Sequence, residues 1–356
     1  MTEETNCLKE NSCDWGIISK YRTALMGIGT LLVLLIHGNE FYWAEKLYFL
    51  KKIVNEGSIG VEIFLFLSGI GLFFSMQKDG NVLKFYSRRF RRIIPIYLLI
   101  AIPVYAILIF WCGSKSISDY LIQVSTLGLW LRSGQFWYVS FILPLYLLYP
   151  IIFYFISESH EKITLTSLLA LSFILKIALI IINVDYYNKI EVAVSRLPVF
   201  FIGCYCGKLV FYKKQINPKT ATKVFLITLP LFLLIRILNS IFISRQSVLN
   251  ESIIRISNLG LTFFIIYTAI ICLNFFSNHQ QLIFESFLNF FGKYSLEIYL
   301  VHSGLMYLYK VSPLDSLYPQ FCVYYIFIVP VSILLVFAFA KLSKFISNTC
   351  FVTKRN

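Results

Sequence analysis

The chain has 356 residues, of which 58% are hydrophobic and 14% charged, with 34 Phe and 23 Tyr. A soluble domain carries about 25% charged residues, so a water-covered exterior is excluded, as are disorder, a collagen-like fibre and a disulfide-stapled secreted fold. The formal net charge of +14, from 32 Lys+Arg against 18 Asp+Glu, would suggest nucleic acid in a soluble chain. In a membrane chain it is first a signal of orientation.

Ten stretches carry the roughly 20 apolar residues that a helix needs to cross about 30 Å of hydrocarbon. They are 23–42, 58–76, 93–113, 136–157, 163–183, 194–212, 224–244, 256–277, 284–309 and 321–346. Runs such as Leu31–Ile36 do not alternate as barrel strands would. The predicted fold class is all-α: a polytopic integral membrane protein of about ten transmembrane helices. One transmembrane domain over 23–346 is expected, between an N-terminal segment 1–22 and a tail 347–356. The N-terminal segment is polar and of mixed charge, so no cleavable signal is expected there. An even number of spans puts both termini on one side, and the basic residues favour the cytoplasm for that side by about two to one. The eight cysteines read as small buried hydrophobes. Cys204-x-Cys206 lacks a second pair of ligands at zinc spacing, so no metal is expected. No internal repeat and no Walker or Rossmann glycine pattern is present.

An ionisable group within a span costs about 2.5–3.5 kcal/mol on insertion and is a functional candidate by default. His37 ends the apolar run Leu31–Ile36, with Glu40 three residues on and placed to orient or charge it. Trp137 and Tyr138 open the fourth span; they read either as interfacial belt aromatics, the commoner case, or as pocket walls. Arg196 opens the sixth span, snorkelling to the headgroups or facing a ligand. In the ninth span Ser295, Tyr299 and His302 follow i, i+4, i+7 spacing and share one helical stripe, while Glu297 points elsewhere. His302 is predicted at a depth comparable with His37, so the two can meet. His160 and His279 are expected in solvated loops. Arg88, Arg89, Arg91 and Arg92 precede the third span; they mark the cytoplasmic side and anionic lipid, or, by their planar forks, bind a phosphorylated ligand.

Five segments, Met26–His37, Gly57–Gly69, Arg88–Pro95, Phe136–Tyr138 and Tyr294–His302, resemble successive signatures of the membrane-bound acyltransferase 3 family, in its polysaccharide O-acetyltransferase form without an attached hydrolase-like domain. The resemblance implies transfer of an acyl group, commonly acetyl from cytosolic acetyl-CoA, to a hydroxyl of an extracytoplasmic or lipid-linked glycan. It implies that His37 is catalytic and that Arg89 and Arg92 serve the acyl-CoA side. Met26 stands where many members carry Arg or Lys, with Arg22 one helical turn earlier.

The combined expectation has His37, Glu40 and His302 as catalytic residues and Arg88, Arg89, Arg91 and Arg92 as donor-binding residues. Trp137, Tyr138, Arg196, Ser295, Glu297 and Tyr299 are expected on the acceptor. His37 would act as general base, or be acylated and relay the group. No cofactor is expected to be permanently bound. The expected partners are the bilayer, acyl-CoA, a glycan and other polysaccharide-biosynthesis proteins, not nucleic acid, and the expected location is a bacterial cytoplasmic membrane, multi-pass. A transporter or flippase of glycan intermediates is the alternative, without a visible hydropathy repeat to support it; a non-enzymatic scaffold would need no His37.

Overall fold

The computed structural model describes residues 13–111, 116–132, 134–158, 160–242, 248–275, 278–316 and 320–350. Residues 1–12 of the N-terminal segment and 351–356 of the tail lie outside them. Eleven long helices carry the fold: α1 (Arg22–His37), α2 (Ile59–Gln77), α3 (Val82–Ala106), α4 (Trp137–Ser157), α5 (Glu161–Ile182), α6 (Leu197–Phe211), α7 (Pro218–Phe242), α8 (Val248–Phe275), α9 (Asn278–Lys293), α10 (Ser295–Lys310) and α11 (Val329–Cys350). Among the described residues the only strands are Cys13–Asp14 and Gln215–Ile216, paired antiparallel. Helices dominate because a lipid-embedded backbone must satisfy its own N–H and C=O groups.

Nine described helical stretches are long and apolar enough to cross a membrane. The outer helices α5 and α7 bury few of their side chains, and Ile174, Ile181 and Leu226 are exposed; apolar surface on this scale is what a bilayer covers. The protein is an all-α polytopic membrane protein.

Two boundaries differ from the sequence prediction in ways that matter. First, α3 begins at Val82, with the Asn81 side chain accepting from the Lys84 amide at 2.9 Å. The arginine cluster therefore lies within the helix, and its four members point in different directions. Second, the stretch 284–309 is not one helix: it breaks at Tyr294 into α9 and α10, each 16 residues long. Position 279 accordingly falls in α9 rather than a loop, and His160 is the residue that precedes α5.

Glycines set the interhelical distances. A Cβ on Gly69 of α2 would stand 2.5 Å from the Cys204 amide nitrogen and 2.6 Å from the Gly203 carbonyl carbon of α6, so backbone packs on backbone. Where α9 crosses α1, a Cβ on Gly292 would strike the Thr23 carbonyl and one on Gly27 the Leu288 carbonyl. Thr30 Oγ1 lies 3.1 Å from the Phe291 carbonyl and 3.0 Å from that of Met26, both as its acceptors. This crossing fixes where α9 ends, and hence where α10 begins beside α1.

Gly203→Val is expected to cost at least the roughly 1–3 kcal/mol typical of overpacking, lowering the melting temperature of detergent-solubilised protein. Gly80, at φ +61° with no atom within 4 Å of an added Cβ, provides the contrast: Gly80→Asn leaves the melting temperature near wild type, because Asn tolerates the left-handed region.

Candidate active site

A cavity of about 980 Å³, open mouth included, runs through the bundle between α1, α2, α3, α4 and α10. Along α1 it is lined by Arg22, Met26, Thr30, Val33 and His37, a stripe that recurs every three to four residues on one helical face. Arg22 and His37 mark its two ends, about 22 Å apart at 1.5 Å per residue. Val61, Phe64 and Ser68 form the matching stripe on α2, and Arg89, Arg92 and Ile93 line it from α3.

At one end His37 Nδ1 lies 2.6 Å from His302 Nε2, and His302 Nδ1 lies 2.6 Å from the Ile298 carbonyl oxygen. The carbonyl can only accept, so His302 Nδ1 carries a proton and donates it. In the neutral ring Nε2 of His302 is then an acceptor. His37 Nδ1–H must be the donor to it, which leaves the lone pair of neutral His37 on Nε2. A proton taken up at that Nε2 breaks neither hydrogen bond. His302 is fully buried and therefore acts on His37 rather than on solvent, in the way a backbone carbonyl or carboxylate fixes the tautomer of a functional histidine. Tyr299 stands one helical turn before it, with ring centroids 6.1 Å apart in an edge-on arrangement. Its hydroxyl faces the Tyr138 backbone N–H and has no acceptor for its own proton among the described residues.

At the other end stand three guanidiniums, of Arg22, Arg89 and Arg92. Arg22 Nε donates to the Leu67 carbonyl at 3.2 Å and Arg89 Nη2 to that of Gly71 at 3.0 Å. Arg89 also packs over the rings of Phe85 and Tyr146, at 5.7 and 5.9 Å. These contacts hold the cations without neutralising them, and no carboxylate lines the cavity among the described residues. Such a set of fixed positive charges suits a phosphorylated ligand.

The cavity gathers His37, His302, Arg89, Arg92, Trp137, Tyr138, Ser295 and Tyr299 of the residues singled out from the sequence. Trp137 and Tyr138 face inward here, not outward in a lipid-facing belt. Five others lie off its walls. Glu40 pairs with Lys310 instead of with His37. Arg88 is tied to Asp79 and to the Ser75 carbonyl. Arg91 and Glu297 sit on other faces of α3 and α10. Arg196 is buried against Glu62, with Nε 3.1 Å from Oε1, and its guanidinium lies 5.4 Å from the Trp137 ring centroid, behind the cavity wall. A nearer partner draws off Glu40, Arg88 and Arg196, and helical phase turns Arg91 and Glu297 from the cavity. Ser68 and Tyr146 line the cavity and were not among the candidates; the i, i+3, i+7 spacing of Val61, Phe64 and Ser68 was a signal for the former.

The site is an intramembrane cavity of a helical bundle, with a histidine pair at one end and three guanidiniums at the other. The chain matches the family model described as an acyltransferase domain, of the acyltransferase 3 family, over residues 23–341, and it belongs to that family. It is a membrane acyltransferase. No curated protein and no solved structure gives a significant match.

His302→Leu leaves His37 Nδ1 without an acceptor and is expected to lower acyl transfer within the range of about 10²- to 10⁴-fold that a general base contributes. His302→Gln, whose Oε1 takes the place of Nε2 as acceptor, is expected to restore a substantial part of that loss. Initial rates of the two variants at equal protein level provide the check; equal rates would mean that the bond to His302 does not position His37.

Proposed function

We propose that the protein is an O-acyltransferase that moves an acyl group, acetyl in the simplest case, from acyl-CoA to a hydroxyl of a cell-surface polysaccharide or its lipid-linked precursor. The observation that carries this reading is a single cavity, with no carboxylate among its described lining residues, that joins three guanidiniums to an imidazole nitrogen whose lone pair is free. An acyl-CoA has the matching form, with phosphates at one end and a thioester at the other of a long flexible arm.

In the proposed reaction the phosphates lie at Arg22, Arg89 and Arg92, on the cytoplasmic side, and the thioester reaches His37. His37 Nε2 takes the proton of the acceptor hydroxyl as its oxygen attacks the thioester carbonyl. The tetrahedral oxyanion forms beside the Tyr299 hydroxyl, a donor in want of an acceptor. When the C–S bond breaks, the electron pair leaves on sulfur and the proton returns from His37 to give the free thiol and the ester. The chain His37–His302–Ile298 stays intact throughout, and the general base is a more economical route than an acyl-histidine relay because it needs only proton transfer at Nε2. Trp137 gives the acceptor sugar an aromatic face, and Tyr138, whose hydroxyl reaches Ser68, stands between the sugar and the arginines. Arg22 supplies a cation one helical turn from Met26, on the same stripe as His37.

Two measurements on purified protein test the reading. Label from acetyl-CoA is expected to appear on a glycan acceptor with wild-type protein and to fall to background with His37→Ala; movement of lipid-linked sugar without consumption of donor would identify a flippase instead. The double variant Arg89→Gln/Arg92→Gln is expected to raise the KM for acyl-CoA by about tenfold or more, since one charge-assisted hydrogen bond contributes about 1.5–3 kcal/mol. Its kcat at saturating donor is expected to change much less, and an unchanged KM would remove the role given to the arginines.

A further inference from the structure

A second cavity of about 770 Å³, open mouth included, lies on the far side of α2 from the first, bounded by α5, α6, α8 and the turn that precedes α6. Its walls and its floor differ in character. The walls are apolar and reach the lipid-facing surface: Phe173 is 44% and Ile256 54% exposed. The floor carries Lys176, Arg196, Arg255 and Glu62.

The pairing of the polar groups on this floor is incomplete. Arg196 Nε, Arg255 Nη1 and Asn258 Nδ2 all converge on Oε1 of Glu62, at 3.1, 3.9 and 3.4 Å. Oε2 of the same carboxylate, in a residue only 2% exposed, has no hydrogen-bond partner among the described residues. A buried carboxylate oxygen without a donor is costly, so an occupant of the cavity has a donor to provide. Arg255 is also bound bidentately by Glu191, at 2.9 and 3.0 Å. Lys176 lies over the Tyr187 ring at 5.9 Å and is in no ion pair with a described residue. Glu251 of α8 also acts on Lys176 and Arg255, so three cations stand among three carboxylates, and Lys176 is the cation whose ammonium is in contact with none of them among the described residues.

We infer that this cavity binds a lipid whose phosphate-bearing head also carries free hydroxyls: a hydroxyl donates to Glu62 Oε2, the phosphate lies at Lys176, and the chains follow the apolar walls out between α5 and α8. Each part of such an amphiphile answers one feature of the site. A zwitterionic choline head lacks the donor, a free phosphate lacks the chains, and a neutral lipid leaves Lys176 unmatched. The site adjoins the acceptor end of the first cavity, because Arg196 of its floor packs on Trp137 of the other wall. It does not depend on the reaction at His37.

The test is native mass spectrometry of the full chain released from phosphatidylcholine nanodiscs doped in turn with phosphatidylglycerol, which has both phosphate and hydroxyls, and phosphatidate, which lacks the hydroxyls. Phosphatidylglycerol is expected to be retained over phosphatidate, and phosphatidate over phosphatidylcholine. Lys176→Met is expected to reduce retention of phosphatidylglycerol by about tenfold, as for one lost charge-assisted contact. Ser172→Phe, which fills the cavity from α5 without removing an ion pair, is expected to abolish it. Lipid extracted from wild-type protein purified from native membranes then identifies the source: a hydroxylated glycerophospholipid or a polyisoprenyl phosphosaccharide, each supporting the site. Equal retention of the three lipids, retention unchanged in Ser172→Phe, or no bound lipid would overturn it. A protein that binds lipid as described but transfers no acyl group would refute the proposed reaction and leave this site standing.

Discussion

The Ile298 carbonyl accepts from His302 Nδ1, and His302 Nε2 lies 2.6 Å from His37 Nδ1. Because a carbonyl cannot donate, the first bond dictates the second, and the second dictates which nitrogen of His37 is basic. The outcome depends on a helix backbone and not on a carboxylate. That matters at this depth, where a carboxylate partner would bring its own desolvation cost. It also makes the geometry a consequence of helix placement: α10 must start beside α1, and it does so because α9 stops at Tyr294 after crossing α1 at Gly27 and Gly292. Close backbone packing and the tautomer of one imidazole are therefore links in the same chain of cause.

The opposite end of the cavity follows a different rule. Four arginines in five residues cannot all point one way from a helix, and only Arg89 and Arg92, three apart, reach the cavity. Arg88 is drawn off by Asp79. Arg22 joins the two from α1, and carbonyl oxygens of α2 hold Arg22 and Arg89 without cancelling their charge. A field of fixed positive charge at one end and a basic nitrogen at the other give the cavity a direction. In the proposed reaction that direction is the path from phosphate to thioester.

Much of this was legible in the sequence, for identifiable reasons. Apolar run length gave the helical membrane fold, and the depth of His37 and His302 gave their meeting. The stripe of Ser295, Tyr299 and His302 needed only a period of 3.6 and includes three residues that do line the cavity. What escaped was phase and partnership. Nothing in the run of 284–309 announces a break at Tyr294, because the break serves a crossing with a helix about 260 residues away in sequence, as the Thr30–Phe291 bond does. Arg196 and Glu62 are too far apart in the chain for their ion pair to be read from either neighbourhood, and Glu40 looked like a partner for His37 only until Lys310 was placed beside it. Trp137 and Tyr138 have the same sequence appearance in a lipid-facing belt as in a cavity wall, and only packing separates the two.

With four histidines in the chain, the tautomers can be observed directly. Protein labelled with nitrogen-15 histidine, its signals assigned by His37→Ala and His302→Ala, reports through two-bond nitrogen–proton correlations which ring nitrogens carry protons. At neutral pH both His37 and His302 are expected to be protonated on Nδ1 and bare on Nε2. A His37 ring protonated on Nε2 and bare on Nδ1 would contradict it, since the nitrogen facing the cavity would then hold a proton and have no lone pair to offer.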